Sequence, residues 1–417
     1  MKRKNHWVLF AILLLALINL SPSETSTLIR SEDQGETEPI TPQSLETEKD
    51  PGSISVAVQL NDSDFLRLQQ LNQQVVDEYH IEVELRNLPA GKDYSGIRQE
   101  LELGDSPDVL LLNNTWIRRF ASGGYLLPTE SYYSGSLTGE VLSASLTQNE
   151  WNGYVWAVPM DADPYVWVYH PGKLKEAGLE FPASGSDWGA LLNAYKKHPS
   201  SPYLFALDFN DPYAVMSFMW QLTGQRGSTD ETSLFKPTEE LETVVQQLDT
   251  MKPFLTTLGS PGEEETWNKL FNGEAAFALV RWSDAKRHQH PNLTIVYPDQ
   301  ESPAGGAWVG GRSYAVSARS GNKEAAGLWI TAMTTQLQQR QWFDLTGYLP
   351  VLKTMYYQAS RNGLPAWIPA SFVNGKGTPL PVGAGIPLLM EKYGALSSSF
   401  LYGELSYKSY LSELESL

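Results

Sequence analysis

"LELGDSPDVLLLNNTW", residues 101–116, decides how the first third of this chain folds. Within it "PDVLLL" (107–112) reads as a continuous apolar run. Strands that are apolar at every position, not at alternate ones, have both faces buried, as inside a parallel sheet. The run then ends abruptly in Asn113, Asn114, Thr115 and Trp116.

Upstream, "SISVAVQL" (53–60) reads as a strand. Phe65, Leu68, Leu71, Val75 and Tyr79 then recur with a helical period, and Asp62 or Ser63 is placed to cap that helix. "IEVELRNL" (81–88) alternates as a second strand, and residues 95–103 form a short helix. The order β-α-β-α-β predicts an α/β unit with right-handed crossovers. In such sheets ligands bind beyond the carboxyl ends of the strands. Asn61, Asp62, Asn114 and Trp116 stand there as candidate ligand contacts, although Asn and Asp are equally ordinary turn residues.

Downstream the alternation resumes. "WGALLNAYKKH" (188–198) is an amphipathic helix, "YLFALDF" (203–209) a strand and "PYAVMSFMWQLTG" (212–224) a buried helix. "LETVVQQLDTM" (241–251) is another helix, "TWNKLFNGEAAFALVRW" (266–282) a helix, turn and strand, and "TIVYP" (294–298) a strand. A second α/β unit follows from this order, and 417 residues suffice for two.

Composition narrows the partners. The formal net charge of −17 repels nucleic acid and anionic headgroups. The chain has no cysteine, which removes disulfides, thiolate nucleophiles, Cys-based zinc sites and the cysteine needed for lipid anchoring. Lys2, Arg3 and Lys4 precede an apolar run at 7–20, the pattern of an export signal. No A-x-A site follows it, so cleavage and retention as an N-terminal anchor are both open, with retention slightly favoured. Residues 21–52, rich in Ser, Thr, Glu and Pro, are expected to be a disordered tether or leader.

Five segments, taken in order, are similar to the sugar-binding family of extracellular solute-binding proteins of ATP-driven importers, which includes maltose-binding protein. They are "LELGDSPDVLLLNN" (101–114), the stretch from "YVWAVPMDADPYVWVYH" to "DWGALLNA" (154–194), "FNGEAAFALVRWSD" (271–284), "VGGRSYAVSARSGNKEAAGLWITAMTT" (309–335) and "GYLPVLKTMY" (347–356). The resemblance implies an α/β, two-lobed, type II periplasmic-binding-protein-like fold with discontinuous lobes joined by a hinge. Lobe one would be 53–161 plus 304–348, and lobe two 162–303 plus 349–417. The crossings would fall at Asp161 and Asp163 and at 303–306. It further implies a monomer without cofactor that holds a carbohydrate, such as an oligosaccharide, between its lobes and passes it to permease subunits at the outer face of the membrane. Relatives in single-membrane bacteria mostly carry a lipid-anchor cysteine, and this chain departs from them. A membrane-tethered sensor for a signalling kinase is therefore the alternative role.

Under that resemblance Trp156, Trp167 and Tyr169 are read as core. Asp161 and Asp163 stand near the cleft mouth, where carboxylates accept hydrogen bonds from hydroxyls. Sugars stack their C–H faces on rings, and Trp282, Trp308 and Tyr348 are the candidate rings. Arg281, Arg312, Asp208, Asp211 and Asp284 are candidate polar partners, each also readable as a salt bridge, cap or turn. No nucleophile elbow, HExxH or P-loop stands out. "HQH" (288–290) is a weak metal pattern, and "GGAWVGG" (305–311) lacks nucleotide-loop spacing. A secreted glycosidase, needing two carboxylates about 5–10 Å apart, is the enzyme alternative.

Overall fold

A computed structural model describes residues 52–89, 91–104, 106–182, 187–223, 231, 233–258, 264–296, 308–357 and 378–417. The export segment and nearly all of the tether (residues 1–51), the crossing at 303–306 and the side chain of Trp308 lie outside the described residues.

The chain opens with β1 (Ser53–Val58), α1 (Asp62–Tyr79), β2 (Glu82–Asn87), α2 (Tyr94–Leu103), β3 (Val109–Asn113) and α3 (Asn114–Ser122). β1 pairs in parallel with both β2 and β3. Side chains of β3 alternate between two cores. Val109 and Leu111 join Leu68, Leu71 and Val75 of α1, while Leu110 and Leu112 join Ile97 and Leu101 of α2. Burial on both faces is what the unbroken apolar run predicts. The cap of α1 is Asn61, whose side chain accepts the Asp64 N–H at 2.8 Å. Asp62 and Ser63, expected to cap, instead lie in or beside its exposed first turn.

Next come α4 (Ser143–Asn149), the hairpin strands β4 (Glu150–Trp151) and β5 (Tyr154–Val155), and β6 (Val158–Tyr169). The hairpin turns on Asn152 and Gly153, with φ of 50° and 81°. Two consecutive positive φ values suit the twist of a tight hairpin and favour Asn-Gly.

β6 organises the molecule. Residues 158–164 pair antiparallel with β11 (Trp308–Val316), and residues 165–169 pair antiparallel with β9 (Ala275–Arg281). The handover falls between Pro164 and Tyr165, next to a residue with no N–H to donate. The second half of the sheet continues from β9 to β7 (Tyr203–Leu207) and β8 (Leu255–Thr257), with β10 (Thr294–Val296) on β6. The strand order is β2-β1-β3-β11-β6-β9-β7-β8. β12 (Leu349–Pro350) pairs with Asp161 and Ala162 of β6, and β13 (Thr378–Pro379) with β11.

Helices α5 (Pro171–Glu176), α6 (Asp187–Lys197), α7 (Pro212–Thr223), α8 (Glu239–Met251), α9 (Glu264–Phe271) and α10 (Trp282–Arg287) accompany the second half of the sheet. They are followed by α11 (Lys323–Met333), α12 (Gln336–Thr346), α13 (Lys353–Tyr357), α14 (Ile386–Leu401) and α15 (Tyr407–Glu415). α12 packs on α1, whereas α14 and α15 complete the core of the second half.

The aromatic density around residue 167 is core, as expected. Trp167 is fully buried, with its ring centroid 4.6 Å from Trp188, 5.9 Å from Phe218 and 6.0 Å from Phe205. Half-buried Tyr169 packs on Phe181 at 5.2 Å. Trp156 donates its indole N–H to Trp151 O at 2.8 Å, so its polar edge serves the hairpin.

Candidate functional site

Where β6 changes partners, the alternation of "PMDADPY" places two carboxylates two residues apart, both buried. Each finds its partner on a different element. A bulge sets Arg312 opposite Asp161 and Ser313 opposite Pro159, leaving Met160 unpaired. Bulges re-aim side chains. Here Asp161 accepts the Arg312 backbone N–H at 3.0 Å and Nε at 3.1 Å, an Nη of the same guanidinium, and the Trp342 indole N–H at 3.1 Å. Gly311 permits this approach, because a Cβ there would lie 2.2 Å from Asp161 O.

The Arg312 guanidinium lies 4.0 Å from the Tyr348 ring centroid, and Tyr348 stacks on Trp342 at 5.9 Å and 7°. Burial raises the Tyr348 hydroxyl pKa against the opposing pull of Arg312.

Asp163 accepts from Ser283 twice, at 2.8 Å from N and 2.7 Å from Oγ. Burial pushes its carboxyl up to about 6, against the pull of Arg281. Asp211 caps α7, taking the Tyr213 N–H at 3.0 Å, and also accepts Tyr165 Oη at 2.8 Å and Arg281 at 3.0 and 3.2 Å. Asp208 nearby is raised to about 6, by burial first and by the charge of Asp211. Burial likewise raises Asp284.

A cavity of about 600 Å³ opens beside this bed, between the start of α1, the end of α10 and the end of α12. Its charged wall balances Asp64, Asp284 and Asp344 against Arg67, Lys286 and Arg287. Asp64, 1% exposed, accepts from Arg287 at 2.7 Å, Arg67 at 3.3 Å and Asn61 at 2.9 Å. Such volumes suit small-molecule ligands, whose sites span about 300–1,000 Å³.

The expected site residues therefore separate into groups. Asp161, Asp163, Asp211, Arg312 and Tyr348 gather around β6, with Arg281 beside them. Asn61 and Asp284 line the cavity, while Asp62 is exposed on α1. Asn114, 1% exposed, accepts Ser313 Oγ at 2.6 Å, and its amide nitrogen has no partner among the described residues. Trp116 is half-buried against the core of Ile97, Leu101 and Phe120.

Trp282 differs from its expected part as a stacking surface. It is 1% exposed, and its indole N–H donates to Gly347 O at 2.8 Å. The chain turns straight from β9 into α10 at this residue, which sends the ring inward. Trp308 opens β11. The histidines of "HQH" stack on aromatic rings, His288 on Trp267 at 4.3 Å and His290 on Phe271 at 4.6 Å.

Asp64, Arg67, Ser283, Arg287 and Trp342 were not among the residues singled out from sequence. Asp64 and Arg287 are 223 positions apart, and neither stands in a local pattern that marks it.

An α/β sheet whose halves share one long strand, with a polar cavity reached from both, defines the class of two-lobed binding proteins. The model of the family described as bacterial extracellular solute-binding protein matches residues 68–366, and the chain belongs to that family. A multiple sugar-binding protein of Streptococcus mutans is 21% identical over 271 residues, covering 58% of this chain and 62% of that protein. The chain thus spans less than two thirds of that relative. Among solved structures, the GacH receptor of Streptomyces glaucescens, determined unliganded and with acarbose, matches with TM-score 0.68 and 20% identity over 88% of this chain and 97% of that one. The sugar-binding protein MalE of Xanthomonas citri matches with TM-score 0.70 and 17% identity, over 87% and 95%. These similarities establish the MalE-like two-lobed fold. The family is one of binding proteins, exported from the cell.

Proposed function

We propose that the protein captures a carbohydrate, of oligosaccharide class, between its two lobes and hands it unchanged to the permease of an ATP-driven importer. The observation that carries this reading is the charge-balanced cavity lined from both sheet halves. A wall of paired carboxylates and guanidiniums offers acceptors and donors to hydroxyls without selecting a net charge. The sugar-binding names of the relatives support the same class.

The lobes of this reading are 53–161 with 304–348, and 162–303 with 349–417. Asn61, Asp62, Trp116 and Trp308 belong to the solute surface, and the uncleaved N-terminal segment is the anchor. Catalysis has no part in this role.

A thermal-shift and calorimetry screen of neutral sugars tests the reading, since a solute that binds the folded state raises its melting temperature. One-to-one binding with compaction in small-angle scattering is expected. Turnover of a bound sugar, or no response across monosaccharides to maltodextrins, would overturn it. Co-purification with a histidine kinase in place of a permease would assign the sensing role.

A further inference from the structure

Alternate residues of a strand share a face. Asp161, Asp163 and Tyr165 of β6 do so, and each holds a group from another element. Asp161 holds Arg312 of β11, Asp163 holds Ser283 of α10, and Tyr165 holds Asp211 and, through it, Arg281 of β9. The first and third arrangements are one construction made twice, once on each half of the sheet. In both, an aspartate takes the Nε and one Nη of an arginine. In both, the guanidinium lies over a tyrosine ring, Arg312 4.0 Å from the centroid of Tyr348 and Arg281 5.5 Å from that of Tyr165.

This mount fixes a guanidinium and leaves part of it unused. Arginine carries five N–H donors. Nη1 of Arg281 and Nη1 of Arg312 make no hydrogen bond among the described residues. The two arginine side chains are 37% and 16% exposed, more than the aspartates behind them at 15% and 1%. Those aspartates are occupied. Asp211 also accepts from Tyr165, Tyr213 and Ala214, and Asp161 from Trp342. Each mount therefore offers a solute donors and no spare carboxylate.

Position and charge narrow the solute. Arg312 pairs with Asn113, the last residue of β3, and Arg281 is the last residue of β9. In α/β sheets ligands bind outside the carboxyl ends of the strands. Asp284, on the helix that follows Arg281, and Gly347, beside Tyr348, line the cavity. Asp163, Asp208 and Asp284 stand within electrostatic reach of Arg281, in addition to Asp211. Four carboxylates around one guanidinium disfavour an anionic solute. Arg312 and Arg281 sit opposite Asp161 and Tyr165 of β6. Four residues of strand span about 13 Å at 3.3 Å each, more than the width of one sugar ring.

We propose that Arg281 and Arg312 are paired solute contacts, one on each half of the sheet, whose free Nη1 groups donate to hydroxyl oxygens of a neutral solute longer than one sugar ring. The proposal rests on the carbohydrate reading above and adds which side chains grip the solute and what charge it carries.

Arg281→Gln tests it with least disturbance, because Asp211 keeps its Tyr165, Tyr213 and Ala214 donors. Calorimetry compares glucose, maltotriose, xylotriose and trigalacturonate on the parent protein, Arg281→Gln and Arg281→Lys. A neutral trisaccharide is expected to bind the parent more tightly than glucose or trigalacturonate do. Losing a charged hydrogen-bond donor should weaken it by about tenfold or more in the Gln variant, and by less in the Lys variant. The bound trisaccharide should also shield Arg281 from phenylglyoxal, read by mass spectrometry of its peptide; a merely structural arginine gains no such shielding. Parent-like affinity in the folded variants, or weakened affinity without shielding, overturns the paired contacts and leaves the carbohydrate reading standing. Tightest binding of trigalacturonate or of glucose overturns the neutral, elongated solute. No binding of any of the four sugars sinks the carbohydrate reading and this proposal with it. Should the Gln variant lose its circular dichroism signal, the Lys variant and the shielding of the parent decide.

Discussion

Asp161 and Arg312 face each other across the β6–β11 ladder, joined by backbone and side chain at once. The Arg312 N–H and Nε both reach the Asp161 carboxylate, within 3.0–3.1 Å, and Trp342 supplies a further donor. This single carboxylate ties together β6, β11 and α12.

Asp161→Asn leaves the Arg312 guanidinium without its counter-charge in a mostly buried setting. Breaking a buried pair from one side costs ~3–5 kcal/mol. Urea unfolding should show a loss of that order, and a midpoint within error of the parent's would show the pair to be energetically idle.

Asp163 gives a pH signature. Its carboxyl titrates at about 6 in the fold against an ordinary 3.8. Between those values the folded state binds more protons than the unfolded chain, so stability falls as pH rises through this window. The contribution is complete below about 3.8 and lost above about 6, and amounts to at most ~3 kcal/mol. Asp163→Asn cannot ionise, and its amide oxygen still accepts the Ser283 N–H. Urea midpoints at pH 4, 5, 6 and 7 should converge with those of the parent at the acid end and exceed them at pH 7. Parallel curves would contradict the assignment.

Trp282→Ala should act on stability. Removing a ring that is 1% exposed leaves a cavity, and such truncations cost ~3–5 kcal/mol. Trp282→Phe keeps much of the volume but orphans Gly347 O, for a loss of ~1 kcal/mol. Chemical denaturation of both variants separates packing from the hydrogen bond.

Trp308→Ala should act on binding. With a carbohydrate in hand, calorimetry is expected to show affinity reduced by about tenfold, or ~1.4 kcal/mol, with the melting temperature of the free protein unchanged. Parent-like affinity would remove Trp308 from the solute surface.

The first α/β unit was readable from residues 53–112 because its signals are local, whereas the helix over Asn114–Ser122 was not read. Apolar runs, a 3.6-residue period and polar strand ends each occupy a few consecutive positions. β6 changes sheet partners between Pro164 and Tyr165, just beyond the Asp161–Asp163 stretch. The form of this strand was not legible. "WNGYVWAVP" and "YVWVYHP" read as a hairpin and a separate strand, whereas the hairpin closes at Val155 and one strand runs from Val158 to Tyr169. Pro159 and Pro164 suggest breaks, and the bulge and the change of partner absorb both. Trp282 looked like a cleft ring because sequence does not reveal which way a residue points at a strand-to-helix corner. The Asp64–Arg287 contact is set by tertiary packing alone.

The insertion of β11 between β3 and β6 has a consequence for biosynthesis. β3 ends at residue 113, and the neighbour that completes its ladder begins at residue 308. A chain leaving the ribosome holds an unfinished first sheet until about three quarters of its length has been made. Pairings so distant in sequence form slowly. That delay leaves the first sheet open for most of the chain's synthesis.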